Sequence, residues 1–247
     1  MGDPGFFSGD RTGRRRFLQA LASTTPLVLA GGFPRPLGAQ DKTSRGPAGP
    51  GEDVSPAEDL MREHGLLRRI LLIYSESARR LEAGQDVPPE VLTGSAGIIR
   101  SFIEDYHEKL EEDFLFPRFR RAKRLVDLVD VLQEQHRAGR RLTEAIIRLA
   151  APRPQEKPDD RRSLAGTLRQ FIRMYEPHAA REDTVLFPAL HEIMTAAEYD
   201  RLGDDFEGKE HELFGAEGFE KMVDRVAAVE KSLSLYDLRQ FTPVFKA

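Results

Sequence analysis

Cysteine is missing from all 247 residues of the chain. Its absence excludes disulfides, thiolate zinc sites, iron–sulfur clusters, catalytic thiols and the lipid-bearing cysteine of a lipoprotein. Any metal ion in this protein must therefore be bound by nitrogen and oxygen atoms.

The chain also lacks a concentration of positive charge and a long apolar run. Its formal net charge is −4 and its basic residues are scattered among acidic ones, so we expect no nucleic-acid partner. The apolar run at residues 20–32 is shorter than the roughly 20 residues that a bilayer-spanning helix needs. We therefore expect no permanent membrane span.

Residues 1–39 have the layout of a bacterial export signal peptide. A basic cluster is followed by the apolar run and by a small-residue cleavage site at Leu37-Gly38-Ala39. The basic cluster, Arg14-Arg15-Arg16 followed by Phe17-Leu18, resembles a twin-arginine leader, although Gly13 stands where serine or threonine is usual. The resemblance implies the twin-arginine export machinery as a partner, which carries folded and often cofactor-loaded proteins, and a periplasmic or otherwise exported location. A disordered basic arm is the alternative.

Residues 40–55 are rich in proline, glycine and charge, which indicates a flexible linker. Apolar residues then recur at helical spacing in four segments, at residues 56–81, 98–117, 125–149 and 164–187. Pro117 is expected to end the second helix, and Pro177 is expected to interrupt the fourth. No segment has the alternation of a strand, so the sequence predicts an all-α fold.

Short connections between helices favour antiparallel neighbours. We therefore predict an up-down four-helix bundle over residues 56–192. Residues 193–247 are expected to form a C-terminal helical extension with one additional helix near residues 219–233. Its tail carries Tyr236, Phe241 and Phe245, which are expected to dock onto the helices.

One motif, His-x3-Glu-x3-Leu-Phe-Pro, occurs in both the second and the fourth helix. The two copies are His107 to Pro117 and His178 to Pro188, and the preceding helices repeat Glu63-His64 as Gln135-His136. Because residues four apart lie on one helix face about 6 Å apart, each His-Glu pair can point at one interior point.

The repeat predicts a site for two metal ions in the bundle. Four histidines would surround two glutamates, and the predicted ligands are His64, His107, Glu111, His136, His178 and Glu182. By repeat symmetry, one ion takes His64 and His107, the other takes His136 and His178, and both glutamates bridge. Duplication alone would also preserve the spacing, so metal-free core histidines are the alternative. Imidazole and carboxylate also suit zinc or manganese.

The order His, His-x3-Glu, His, His-x3-Glu over residues 64–182 resembles the hemerythrin-like (HHE cation-binding) family. The resemblance implies a four-helix bundle around a non-haem di-iron site, with two iron ions on the six residues. It also implies dioxygen, another small diatomic ligand or peroxide as a partner. Oxygen carriers of the family have a second histidine in the third helix where this chain has Arg140, and their last helix tends to use His-x4-Asp.

These departures favour redox reaction, metal handling or sensing over reversible oxygen carriage. The leading function is an exported di-iron protein that binds dioxygen or a related small molecule, or handles iron. An oxidase or peroxidase on the same site and a metal-free helical interaction protein are the alternatives.

The sequence also predicts the role or the location of several other side chains. Glu63 and Gln135 stand next to predicted ligands and are candidates for hydrogen bonds to them. The pairs Arg68-Arg69 and Arg140-Arg141 are expected on solvated faces. His191 and His211 are expected at the surface rather than at the metal.

Changing both Arg14 and Arg15 to lysine is expected to stop export, because the paired guanidinium groups distinguish this leader from a general one. Cell fractionation measures the result. Unchanged periplasmic accumulation of the variant would mean a different export route.

Overall fold

The computed structural model describes residues 54–151 and 156–245, within the compact unit Val54–Ala247. The predicted signal peptide at 1–39 and all of the predicted linker except Val54 and Ser55 lie outside the described residues. The described residues form helices and contain no strand, which confirms the all-α prediction.

Helix α1 spans Pro56–Glu82. Ser55 accepts a hydrogen bond from the backbone N–H of Glu58, and proline at the first helical position suits the helix start. The helix ends before Gly84, whose positive φ of 71° turns the chain.

Helix α2 is a continuous helix with two wide π-helical stretches. Its parts are Pro89–Ile98 (α), Ile99–His107 (π), Glu108–Leu110 (α), Glu111–Leu115 (π) and Phe116–Ala122 (α). The prediction that Pro117 ends this helix is therefore wrong. A proline lacks the N–H and clashes with the carbonyl four residues earlier, and the π turn just before Pro117 shifts the hydrogen-bond pattern at that point.

Helix α3 spans Val126–Leu149, and α4 spans Pro158–Arg181 with a π-helical continuation at Glu182–Leu186. Pro177 lies inside α4 without interrupting it, contrary to the prediction. Both Pro177 and Arg173, whose carbonyl loses its usual partner, are exposed, so water can satisfy that carbonyl.

Contacts between the helices define an up-down bundle. Helices α1 and α4 are antiparallel, because Glu82 at the end of α1 pairs with Arg169 in the first half of α4, while His64 in the first half of α1 contacts Asp183 in the continuation of α4. Between α2 and α3, Arg120 near the end of α2 pairs with Asp130 near the start of α3. The four helices enclose an apolar core, with nine of its largest members fully buried: Tyr74, Tyr106, Tyr175, Phe102, Phe116, Phe119, Phe171, Phe187 and Leu60.

The C-terminal extension packs on the α1 and α2 side of the bundle. It contains the short α5, Leu190–Ile193, then α6, Ala196–Phe214, and α7, Gly218–Ser232, and a 3-10 turn at Leu238–Phe241. Arg69 of α1 makes a two-pronged hydrogen bond to Glu230 of α7, with distances of 2.9 and 2.6 Å.

Helix α6 was not expected from the sequence, which predicted only the last helix. Its signal is a capping box, in which the Thr195 side chain accepts from the Glu198 backbone and the Glu198 side chain accepts from the Thr195 backbone. The expected docking of the tail holds only in part: Phe241 lines a cleft with Leu72 of α1 and Arg169 of α4, but Tyr236, Phe241 and Phe245 are all exposed. Within the described ranges, no helix is long and apolar enough to cross a membrane.

The close approach of α3 and α4 depends on Gly139. A Cβ at this position would lie 1.9 Å from the Tyr175 hydroxyl oxygen, and that hydroxyl donates to the buried Glu108 carboxylate at 2.7 Å. Only glycine lets the two helices meet with this hydrogen bond intact.

Gly139→Ala is expected to lower the free energy of unfolding by about 1–3 kcal/mol, because the buried tyrosine has to shift. Urea unfolding of the metal-free protein measures the change. Gly166→Ala is the matched control: it lies in α4 with no atom within 4 Å of the added Cβ, and it should gain up to about 1 kcal/mol. Equal stability of the two variants would contradict the packing described.

Candidate metal centre

The six predicted ligands converge in the middle of the bundle, and all of them are buried. Two groups of possible ligand atoms each lie within 4.8 Å of one another: Glu111, His136, His178 and Glu182, and His64, His107 and Glu111. Four helices contribute to this cluster, and the most exposed member, His178, has only 4% of its surface accessible.

The histidines form two pairs. The Nε2 atoms of His64 and His107 are 3.0 Å apart, and the rings of His136 and His178 have their centroids 5.1 Å apart. These are the two pairs that repeat symmetry predicts.

Each glutamate reaches imidazoles of both pairs. Glu182 Oε2 lies 3.3 Å from His64 Nε2 and 3.1 Å from His178 Nε2. Glu111 Oε2 lies 3.2 Å from His136 Nε2, and Glu111 Oε1 lies 3.9 Å from His107 Nε2. Both carboxylates therefore lie between the pairs, as bridging groups would.

The Leu-Phe-Pro part of the motif shapes the wall of the centre. A π-helical turn begins at each glutamate, so that the backbone N–H of Phe116 donates to the Glu111 carbonyl and that of Phe187 donates to the Glu182 carbonyl. Phe116 then stacks on His136 with centroids 5.4 Å apart, and Phe187 stacks on His64 at 5.5 Å. Each phenylalanine thus covers a histidine from the other half of the repeat.

Every histidine of the cluster has an acceptor on its Nδ1 atom. Glu63 accepts from His107 at 2.7 Å, and Gln135 accepts from His178 at 2.9 Å. Both residues were candidates for this role. A hydrogen bond from Nδ1 fixes the tautomer and leaves the Nε2 lone pair directed at the centre.

The other two acceptors were not identified from the sequence. Asp183 accepts from His64 Nδ1 at 2.7 Å, and Glu112 accepts from His136 Nδ1 at 3.2 Å. Each is the acidic residue directly after a predicted bridging glutamate, so the repeated pairs Glu111-Glu112 and Glu182-Asp183 were the available signal.

Of the four arginines expected on solvated faces, Arg68 and Arg141 are exposed as expected, whereas Arg69 and Arg140 are partly buried. Arg68 pairs with Asp183, Arg69 with Glu230, and Arg140 with both Glu108 and Glu112 at 2.8 Å. The prediction failed for Arg69 and Arg140 because inter-helix partners are not visible in the pattern of one helix.

Burial and nearby charges shift the pKa values of the histidines in the metal-free cluster in different directions. Burial alone would lower the pKa of His64, but the nearby carboxylates of Asp183 and Glu182 raise it from 6.5 to about 9. Burial lowers the pKa of His136 to about 4, and burial together with His64 lowers that of His107 well below its ordinary value.

The two glutamates shift in opposite directions. Burial, followed by the nearby Glu182 charge, raises the pKa of Glu111 well above its ordinary value. Burial would also raise the pKa of Glu182, yet the imidazoles of His178 and His64 hold it well below. The metal-free centre therefore holds a His64 imidazolium against the Glu182 carboxylate.

The chemistry of this donor set fits a pair of cations. None of the four carboxylate oxygens of Glu111 and Glu182 makes a hydrogen bond of normal geometry to another described residue, although all are buried. Buried polar atoms without partners are rare in folded proteins, and a position for a bound ion is one physical reason for them. Nitrogen and oxygen donors alone surround the centre, as a borderline or hard divalent ion requires.

The two remaining histidines are exposed, as expected. His191 packs against Tyr199 with ring centroids 4.2 Å apart, and His211 is exposed on α6. Neither belongs to the cluster.

The free energy of unfolding of the metal-free protein is expected to fall as pH rises from 6.5 to 9. The folded-state pKa of His64 is raised above its unfolded value, so its contribution is full below pH 6.5 and is lost as pH passes about 9. The loss is on the order of 3 kcal/mol. Urea unfolding in the presence of a chelator at several pH values measures it.

His64→Gln supplies the control, because glutamine cannot take up the proton. The variant should lose much of this pH dependence. The same slope in both proteins would show that His64 does not hold the proton.

Comparison with known proteins agrees with this geometry. The sequence model of one protein family, described as the hemerythrin HHE cation-binding domain, matches residues 55–190, and a second match covers residues 127–243. The second match begins in α3 and includes His211, whose exposed side chain does not join the centre.

Two relatives, both named only as uncharacterised proteins, come from Mycobacterium bovis and Mycobacterium tuberculosis. Each is 45% identical over 235 residues, a span of 94% of this chain and 91% of the relative. No solved structure matches the chain. The first family match spans more than half of the chain and contains all six converging residues, so the chain belongs to the hemerythrin HHE cation-binding domain family.

Proposed function

We propose that the chain is a non-haem di-iron protein that binds dioxygen or a related small molecule such as peroxide. His64 and His107 would hold one ion, His136 and His178 would hold the other, and Glu111 and Glu182 would be shared between them. The observation that carries the proposal is the position of both buried glutamates between the two imidazole pairs.

The count of protein ligands supports a reactive centre. Two imidazoles and two shared carboxylates would offer each ion at most four protein ligands, fewer than many divalent ions accept, which would leave room for a small molecule to bind. Bound iron would supply oxygen-binding and redox chemistry there. Because every member of the cluster is buried and phenylalanine rings stack on His64 and His136, only a very small ligand would fit.

Arg140 argues against simple oxygen carriage. Its guanidinium is held by Glu108 and Glu112, so it adds no ligand where oxygen carriers have a histidine. Iron handling, or reaction with the small molecule, suits the remaining ligand set better than reversible binding.

An oxidase or peroxidase is the second candidate. It is favoured by two buried polar side chains, Tyr175 and Glu108, beside the His136 and His178 pair. The Tyr175 hydroxyl donates to Glu108 at 2.7 Å, and burial raises the pKa of Glu108 well above its ordinary value. Glu108 can therefore hold a proton close to the centre, as a reaction that consumes protons requires.

We also propose that the protein is exported after folding. Support comes from the sequence of residues 1–39, where Arg14 and Arg15 precede the apolar run. A twin-arginine route carries folded proteins, so it is compatible with metal loading before export.

Metal analysis with an optical spectrum tests the site. Wild-type protein loaded anaerobically with ferrous iron should hold two irons per chain and change its absorption when air is admitted. His107→Ala and His178→Ala should each hold fewer than two irons while keeping most of the helix content, because each removes one ligand from a different pair. Elemental analysis and circular dichroism measure both properties.

His211→Ala is the matched control, since His211 is exposed and outside the cluster. It should load like the wild type. Two irons per chain in both ligand variants would refute the assignment, and zinc or manganese in protein purified from its native compartment would refute iron. Turnover of peroxide or ferrous iron would favour the enzyme.

A further inference from the structure

The two histidine pairs occupy equivalent positions in the repeat, but the residues that accept hydrogen bonds from their Nδ1 atoms differ. At the position before the first histidine of each half, one half has the carboxylate of Glu63 and the other has the amide of Gln135. Glu63 accepts from His107 at 2.7 Å, whereas Gln135 accepts from His178 at 2.9 Å. The substitution therefore changes the charge of the acceptor and leaves the hydrogen bond in place.

The second set of acceptors differs in the same direction. Asp183 uses separate oxygens for its two partners, with Oδ1 on His64 and Oδ2 on Arg68. Glu112 uses one oxygen, Oε1, for both His136 and Arg140, and its distance to His136 is 3.2 Å rather than 2.7 Å. The guanidinium at 2.8 Å thus competes for the same lone pairs that His136 needs.

Acceptors on Nδ1 determine how strongly Nε2 donates to a metal. A carboxylate draws the Nδ1 proton towards itself, which makes the imidazole more basic and a stronger ligand, and a neutral amide does so less. Loss of such a partner typically changes metal affinity by about 10- to 100-fold. Both imidazoles of the His64 and His107 pair have a carboxylate acceptor at 2.7 Å, whereas the other pair has an amide at 2.9 Å and a carboxylate at 3.2 Å.

We propose that the two metal positions are unequal, that the His64 and His107 position fills first and more tightly, and that Glu63 and Gln135 set this order as positioning residues. The inference rests on the proposed two-metal site. It adds that the acceptors behind the ligands decide the order, even though the close group at the His136 and His178 position includes Glu182 and the group at the other position does not.

Zinc is a suitable probe because it is diamagnetic and does not react with air. Titration of the full chain, labelled with nitrogen-15 in its histidines, shows by NMR which imidazoles bind at each stage. With one equivalent of zinc, the signals of His64 and His107 should move to bound positions, and those of His136 and His178 should follow with the second equivalent. Calorimetry should resolve two steps that differ by about tenfold or more in affinity.

Exchange of the two acceptors gives the decisive comparison. Glu63→Gln should weaken the first step by about tenfold or more, and Gln135→Glu should strengthen the second, so that each single variant brings the two steps closer together. The double variant, Glu63→Gln with Gln135→Glu, should reverse the order in which the pairs fill. A role in folding alone would not reverse the order, and circular dichroism checks that each variant is folded.

The outcomes separate this inference from the proposed function. Two zinc ions that bind with equal affinity, or an order that the exchange leaves unchanged, would overturn the inference and leave the two-metal site in place. Fewer than two ions per chain in the wild type would overturn the site itself and the inference with it. Order reversal in the double variant would establish both.

Discussion

Two fully buried carboxylates, Glu111 and Glu182, face four imidazoles in the apolar interior of the bundle, and the rest of the structure depends on compensating their charge. Removal of an ion from water costs several kcal/mol even after relaxation, so an uncompensated pair would destabilise the bundle. In the metal-free state a proton on His64 offsets one carboxylate, while burial keeps the other protonated. Divalent cations would replace these protons, which couples metal binding to proton release.

The centre could be predicted from the sequence because its geometry is local. A His and a Glu four residues apart share a helix face whatever the rest of the chain does, so two copies of the motif and two further histidines located six converging side chains. The hydrogen-bonding roles of Glu63 and Gln135 could be predicted for the same reason, since each residue directly precedes a histidine of the centre. Phe116 and Phe187 belong to the repeated Leu-Phe-Pro segment, but only the structure shows that each stacks on a histidine of the opposite half.

Features that depend on contacts between helices could not be predicted from the sequence. Arg140 was expected in solvent because Arg68 matches it in the repeat, yet both arginines hold an acidic side chain that itself holds a histidine. The predictions that prolines would end or interrupt helices were wrong for a related reason. Pro117 and Pro177 break helices in isolation, whereas here a π turn accommodates the first and exposure of the Arg173 carbonyl accommodates the second.

Repetition and asymmetry have separate physical roles in this bundle. Ligand geometry is set by the spacing of His and Glu on the helices, and the two halves share this spacing at His107 and Glu111 and at His178 and Glu182. Ligand strength is set by the residues that accept the hydrogen bond from Nδ1 of each histidine. At this position a carboxylate in one half and an amide of the same shape in the other both hold their histidine. A duplicated scaffold can thus keep two equivalent positions in space and still make them chemically different, and the outer hydrogen bonds are where that difference lies.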